Sequence, residues 1–233
     1  VCPSCGGLLN FVGTGTQRVE EELRDLFPWA EVLRMDTDTV SAAHPHEELL
    51  SRFQKERVPI LVGTQMVAKG LDFENVTLVG ILNGDALLNR NDYRSAELTY
   101  DLLEQAAGRS GRHNKAGEVI IQAYDTTHYA IQCAAHHDYR SFFLLEMQYR
   151  HLAGYPPYAY LASMVFRHKQ EETAMACATA TMAQLAQQPA VRILGPGSLG
   201  KIRDEYRVRI LLKGKDSLKL NELVWDVYHR HLA

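Results

Sequence analysis

With 233 residues, 46% of them hydrophobic, the chain can bury the core of one large or two modest domains, and two are expected. A net charge of −3 excludes a protein whose whole surface grips nucleic acid. Four cysteines imply no disulfide framework, and the absence of a leader pattern and of any run of about 18 apolar residues leads to the expectation of a soluble cytoplasmic protein. The charge is unevenly spread: residues 1–155 hold 14 Lys and Arg against 21 Asp and Glu, a net −7, whereas residues 156–233 hold 11 against 7, a net +4. A basic segment behind an acidic one is compatible with local nucleic-acid contact. The chain opens at Val1, inside a motif and without an initiator methionine, as expected of a piece of a longer protein.

Residues 8–125 alternate short apolar runs with amphipathic stretches. LLNFVG leads into a helix predicted over about 16–27, with Val19, Leu23, Leu26 and Phe27 on one face, then EVLRMD and a helix near 46–57. PILVGTQ (59–65), VTLVGIL (76–82) and GEVIIQAYD (117–125) are short and β-branched enough to be strands buried on both faces, with a long helix near 94–109 before the last. This rhythm predicts an α/β fold, a parallel sheet with helices on both faces, whose working loops lie at the carboxyl ends of the strands. A helix over 136–152 should stop at Gly154 and the Pro156-Pro157 pair. Beyond it, strand-like 162–168, an Ala-rich helix at 171–187, strands at 191–195 and 206–214 and a helix over 216–231 describe a small α+β C-terminal domain. The expected division is 1–7, 8–135, a connecting helix at 136–155, and 156–233. Cys133 and Cys177 fall in apolar helical surroundings and read as buried free thiols.

Two segments invite a chemical reading. Gln105-Ala106-Ala107-Gly108-Arg109-Ser110-Gly111-Arg112 ends the long helix, and its two arginines, three apart, present two guanidinium forks suited to the charge of a transferring phosphoryl group. Taken alone, it reads equally as a solvated basic helix terminus. Ile60 to Phe73, ILVGTQMVAKGLDF, is a buried strand followed by a turn in which the Thr64 hydroxyl and nearby amides could hold a nucleic-acid phosphate. There Gly70 permits close backbone approach, and Asp72 is free to address a ribose or a metal-bound water. An ordinary strand connection with an Asp cap would look the same. GTGT at 13–16 is followed by no Gly-Lys-Ser or Gly-Lys-Thr, so it is not a phosphate-binding Walker loop, and no acidic pair of the DEXH type follows a strand.

CPSCGG, GTGTQRVEEEL, RMDTDT (34–39), ILVGTQMVAKGLDF, VTLVGIL, DYRSAE, QAAGRSGR, GEVIIQ and GYPPY, in that order, resemble the primosomal protein N-prime family of superfamily-2 DNA helicases over nearly the whole chain. The resemblance implies a RecA-like second helicase lobe followed by the small domain, and an ATP-dependent 3′-to-5′ DNA helicase that recognises stalled forks and restarts replication by primosome assembly. It implies that Arg112 is an arginine finger, that Arg109 and Gln105 contact phosphate, and that Gly70 and Asp72 couple nucleotide to lobe motion. Thr16, Thr64, Gln65 and Lys69 would lie on DNA. ATP with Mg²⁺ would be completed by a lobe that this chain does not contain, and the partners implied are forked and single-stranded DNA, single-stranded-DNA-binding protein and other primosome proteins. The sequence departs from the family pattern at Leu71, Gly84 and Leu98. The other readings open to it are a non-catalytic DNA-binding or scaffold module and a superfamily-2 translocase without strand separation.

Cys2 and Cys5 form half of a zinc site, two thiolates two residues apart beside a glycine turn. In the family, cysteines upstream complete the Zn²⁺ sites. In the C-terminal segment, Lys201, Arg203, Arg207, Arg209, Lys213 and Lys215 crowd into fifteen residues, and strand alternation puts Arg207 and Arg209 on one face. DNA-backbone contact and a solvated strand face account for that pattern equally well.

Overall fold

The computed structural model describes residues 15–36, 46–64, 75–108, 117–188 and 191–232. It divides into two compact units, Val1–Phe143 and Leu144–Ala233.

In the first unit, helix α1 (Thr16–Leu26) is braced by Arg18–Glu22 and Arg24–Glu20 ion pairs at i, i+4 spacing. The predicted apolar face is shorter than expected. Val19 and Leu23 are half-buried, but Leu26 is 66% exposed, and Phe27, past the helix end, packs edge-on against Trp29 at 5.6 Å. Strands β1 (Val32–Met35) and β2 (Ile60–Gly63) pair in parallel, Val32 with Ile60 through Met35 with Gly63, and are joined through helix α2 (His46–Lys55). Met35, fully buried, packs with Leu50, Leu49, Phe53, Leu61 and Val76.

Strands β3 (Leu78–Ile81) and β4 (Glu118–Ile121) form a second parallel pair, with helix α3 (Ser95–Ala107) between them in sequence. Here burial on both faces is not what the structure has. Exposure alternates, so that Leu78 and Ile120 lie more than half exposed on one face while Val79, Ile81, Val119 and Ile121 are half-buried on the other. A continuous apolar run cannot distinguish a strand covered on both faces from one covered on a single face. The seven-residue helix α4 (Tyr129–Ala135), not foreseen in the sequence, is capped by His128, whose Nδ1 accepts from the Ala130 amide at 3.2 Å. It buries Ala130, Ile131, Cys133 and Ala134. Helix α5 (Tyr139–Ala153) contains the boundary between the units and ends where Gly154 takes φ +65°.

The second unit is an antiparallel sheet in the order β5-β7-β6, formed by β5 (Tyr160–His168), β6 (Val191–Ile202) and β7 (Glu205–Gly214). Helices α6 (Glu171–Leu185) and α7 (Ser217–Leu232) close its core. Val208, Ile210 and Leu212 of β7 are fully buried and meet Ala174, Ala178, Leu185, Leu220 and Val227. Burying each such β7 side chain stabilises the fold by roughly 1.5 to 3 kcal/mol. Strand β6 runs seven residues past its predicted end at Gly195, crossing register shifts at Leu194/Gly197 and Ser198/Lys201. Bulges carry the strand past a Gly-Pro-Gly sequence that reads as a stop. Gly195 takes φ +116°, and a Cβ there would stand 2.8 Å from the Arg209 carbonyl oxygen. Gly195→Ala is therefore expected to cost on the order of 2 to 3 kcal/mol, read as a lower urea midpoint for the second unit; an unchanged midpoint would show that β6 takes another path.

Candidate functional site

The parallel register of β1 and β2 sets two of the sequence-predicted residues on one edge. Met35 pairs with Gly63, so Asp36 and Thr64 follow side by side at the carboxyl end of the pair. The Thr16 hydroxyl, in the first turn of α1, donates to Oδ2 of the buried Asp36 and ties the helix start to that same edge. Arg34 is held by Glu20 and Asp36, each at 3.2 Å, which fixes α1 against β1. Thr64 is exposed. The edge thus combines the exposed Thr64 hydroxyl with a helix N-terminus whose amides favour anions, while the Thr16 proton is taken by Asp36. Asp36 is a contributor that sequence reasoning missed. The Thr16–Asp36 tie spans twenty residues, and no local pattern encodes it.

Gln105 is exposed on the last turn of α3, and Gly108 closes the helix with its amide on the Glu104 carbonyl at 2.9 Å. Arg109 and Arg112 lie outside the described residues, as do Gln65, Lys69, Gly70, Leu71, Asp72, Cys2 and Cys5. What positions α3 is clear. Leu103 is fully buried, Tyr100 stacks on Phe142 at 4.2 Å, and Tyr129 lies 6.0 Å from the same ring. Burial, with the Glu104 carboxylate beside it, pushes the Tyr100 phenol up to about 12, so it stays neutral and structural. Glu104 also reaches His137 at 3.1 Å. Leu98, where the family pattern is departed from, lies partly exposed on the same helix.

The loop after β3 is stitched to the chain after β4. Buried Asp85 accepts from the amides of Tyr124 and Asp125 at 2.9 and 3.0 Å, and the Gly84 amide donates to the Gln122 carbonyl at 2.8 Å. A Cβ on Gly84 would meet Ile121 Cγ2 at 2.9 Å, which accounts for a glycine at that position. Asp85 here holds two loops together.

In the second unit, Val208, Ile210 and Leu212 point into the core, which turns Arg207, Arg209, Leu211 and Lys213 to the opposite face. The basic cluster seen in the sequence separates accordingly. Lys213 is only 7% exposed; its Nζ lies 3.3 Å from the Tyr155 ring centroid and donates to the Ala153 carbonyl at 3.0 Å, so it anchors the GYPPY turn instead of facing solvent. Lys201 is paired with Asp204 at 2.6 Å and lies over Tyr206. Arg207 and Arg209 are half-buried, and Arg203 and Lys215 are exposed.

Among the described residues there is no group of three or more His, Cys, Asp or Glu placed to hold a metal ion, and no helix long and apolar enough to cross a membrane. Residues 10–114 match the family model for the helicase conserved C-terminal domain, and residues 151–231 match that for the primosomal protein N C-terminal domain. Curated relatives named replication restart protein PriA include those of three organisms. That of Bacillus subtilis (strain 168) is 48% identical over 99% of this chain and 29% of its own length. That of Synechocystis sp. (strain ATCC 27184 / PCC 6803 / Kazusa) is 39% identical over 94% and 27%, and that of Chlamydia pneumoniae 36% identical over 95% and 30%. The chain spans about three tenths of the length of these relatives.

Proposed function

We propose, from the premise that this chain belongs to the family of replication restart proteins PriA and carries its helicase C-terminal and PriA C-terminal domains, that it supplies one half of an ATP site and part of a DNA track in a 3′-to-5′ helicase acting at stalled forks. The observation that carries this reading is the carboxyl edge of β1 and β2, where Asp36, which takes the Thr16 hydroxyl, and the exposed Thr64 follow paired strand ends. Gln65 and Lys69 continue from Thr64 in sequence and extend the DNA contact. Gln105, on the exposed end of α3, leads directly into Arg109 and Arg112. In this reading Arg112 stabilises charge developing on the γ-phosphate, Arg109 and Gln105 hold phosphate oxygens, and Gly70 and Asp72 link nucleotide state to lobe position. The Walker lysine and the Mg²⁺ carboxylate belong to a lobe outside this chain. Cys2 and Cys5 would give two of the four thiolates of a Zn²⁺ site. Single-stranded-DNA-binding protein and other primosome proteins are the proposed partners.

An arginine finger without a phosphate cradle has nothing to act on. The 233-residue chain is therefore expected to show no DNA-stimulated ATP hydrolysis, in a phosphate-release assay with single-stranded and forked DNA. Robust turnover by a clean preparation would refute the half-site reading. The basic face of the second unit favours a second role, DNA-backbone binding by the chain itself. Replacing both Arg207 and Arg209 with Gln should reduce the slope of log K against log salt by about 1.4 for single-stranded DNA and about 1.8 for duplex. The affinity loss should be similar on unrelated sequences, since phosphate contacts carry no base information. An unaltered slope in the folded double variant would return that face to a solvated one.

A further inference from the structure

On the open face of the C-terminal sheet, the register places Arg167 of β5 directly opposite Arg207 of β7. Like charges at directly opposed antiparallel positions repel, and side chains there approach closely. Among the described residues no carboxylate pairs with either arginine, and Nε of Arg207 is buried without a hydrogen-bond partner. A buried guanidinium N–H with nothing to donate to is costly, and it is costlier beside a second guanidinium. The core-facing neighbours Phe166 and Val208 carry the packing, and Val165, also on the open face, is 41% exposed.

The surroundings restrict what could sit there. Arg209 lies on the same face two residues along β7, about 7 Å away at strand spacing, with Val165 opposite on β5 and Gly197 opposite on β6. A Cβ at Gly197 would meet nothing within 4 Å, so the ground beside Arg209 is open. The far end of the face is closed where Tyr155 covers Lys213. The result is a short positive row, open at the arginine end and bounded at the other.

We propose that Arg167 and Arg207 form a two-guanidinium seat for a single phosphate of a nucleic-acid backbone, with Arg209 taking the next contact along the strand. The proposal rests on the reading that this unit touches DNA, and adds Arg167, which sequence spacing did not single out, as a binding residue. With the Arg207 side chain turned outward, a phosphate oxygen accepts from the Nε–H that is buried without a partner in the free chain, and its charge converts the repulsion between the two arginines into attraction of both to one anion. Inorganic phosphate offers the same chemistry, but a backbone brings a second charge to Arg209.

The test uses the whole 233-residue chain, with fluorescence anisotropy of a labelled single-stranded 20-mer across a salt series and thermal unfolding without DNA. Arg167→Gln should weaken binding about tenfold at moderate salt, reduce the salt slope, and leave the unfolding midpoint of the free chain unchanged or higher. Because the two arginines share one anion, Arg167→Gln with Arg207→Gln should lose less affinity than the product of the single losses. Arg167→Lys, which keeps charge and fold, should preserve most of the slope while losing affinity, and this variant carries the test should the Gln form fail to fold. If Arg167→Gln is folded and binds as before while the Arg207 and Arg209 variants weaken, the seat is refuted and DNA contact by β7 stands. If none of the three weakens binding, the DNA reading of this face falls as well. Inorganic phosphate competing as well as the oligonucleotide on a per-phosphate basis, or a polyglutamate peptide bound in its place with the same arginine dependence, would overturn the assignment to a nucleic-acid backbone.

Discussion

On the half-site reading proposed above, Arg112→Ala in the full-length protein is expected to lower kcat for DNA-stimulated ATP hydrolysis by about three orders of magnitude or more, with ATP affinity nearly intact. The reason lies in when the charge appears. A guanidinium reaching the γ-phosphate from the second lobe meets the largest negative charge as the phosphoryl group transfers, so its loss raises the barrier more than it weakens the bound ground state. Helix α3 is pinned by fully buried Leu103 and by the stack of Tyr100 on Phe142, and its exposed end at Gln105 precedes Arg112 by seven residues. Steady-state kinetics at saturating DNA decide the matter. A defect confined to KM would make Arg112 a ground-state binding residue.

Glu146→Ala should destabilise the C-terminal unit by about 3 to 5 kcal/mol. Glu146 is 6% exposed and accepts from Arg150 Nε at 2.6 Å, one turn along α5, while Arg150 Nη1 reaches the Pro156 carbonyl at 3.5 Å. Truncating the carboxylate takes the Glu146 charge from a largely buried guanidinium, so less of the desolvation already suffered by Arg150 is offset. Replacing both residues, with Leu at 146 and Met at 150, removes the charges together and should come within about 1 kcal/mol of the parent. Urea unfolding followed by circular dichroism separates the outcomes. A single-variant loss below about 1 kcal/mol would show that water reaches Arg150.

Much of the secondary structure was legible because periodicity is a local property. The helices at 16–26, 95–107, 171–185 and 217–232 begin and end within a few residues of their predicted limits. Helix α4 escaped because seven residues hold too few turns for an apolar stripe to stand out. Strand β6 was cut short at Gly195-Pro196-Gly197 because a bulge and a terminator share the same residues. Of the candidate site, the sequence made legible the places of Thr64 after β2 and of Gln105 on the last turn of α3, because both are set by contiguous segments. The rest was hidden wherever a partner comes from afar. Asp36 takes the Thr16 hydroxyl, Tyr155 covers Lys213, and Arg167 faces Arg207 across forty residues. Composition alone made Lys213 look like its neighbours Arg209 and Lys215. Only the position of Tyr155 separates them.

The shared edge of β1 and β2 also has a mechanical meaning. On the proposed reading, a strand of nucleic acid held at Thr16 and Thr64 would pull on two neighbouring strand ends that run the same way, with the share of Thr16 passing to β1 through Asp36. Traction at that edge draws both strands together and does not slide one past the other, so the hydrogen-bonded ladder between them is neither sheared nor peeled. The load passes instead along the covalent chain and, through Arg34 and Glu20, into the body of α1.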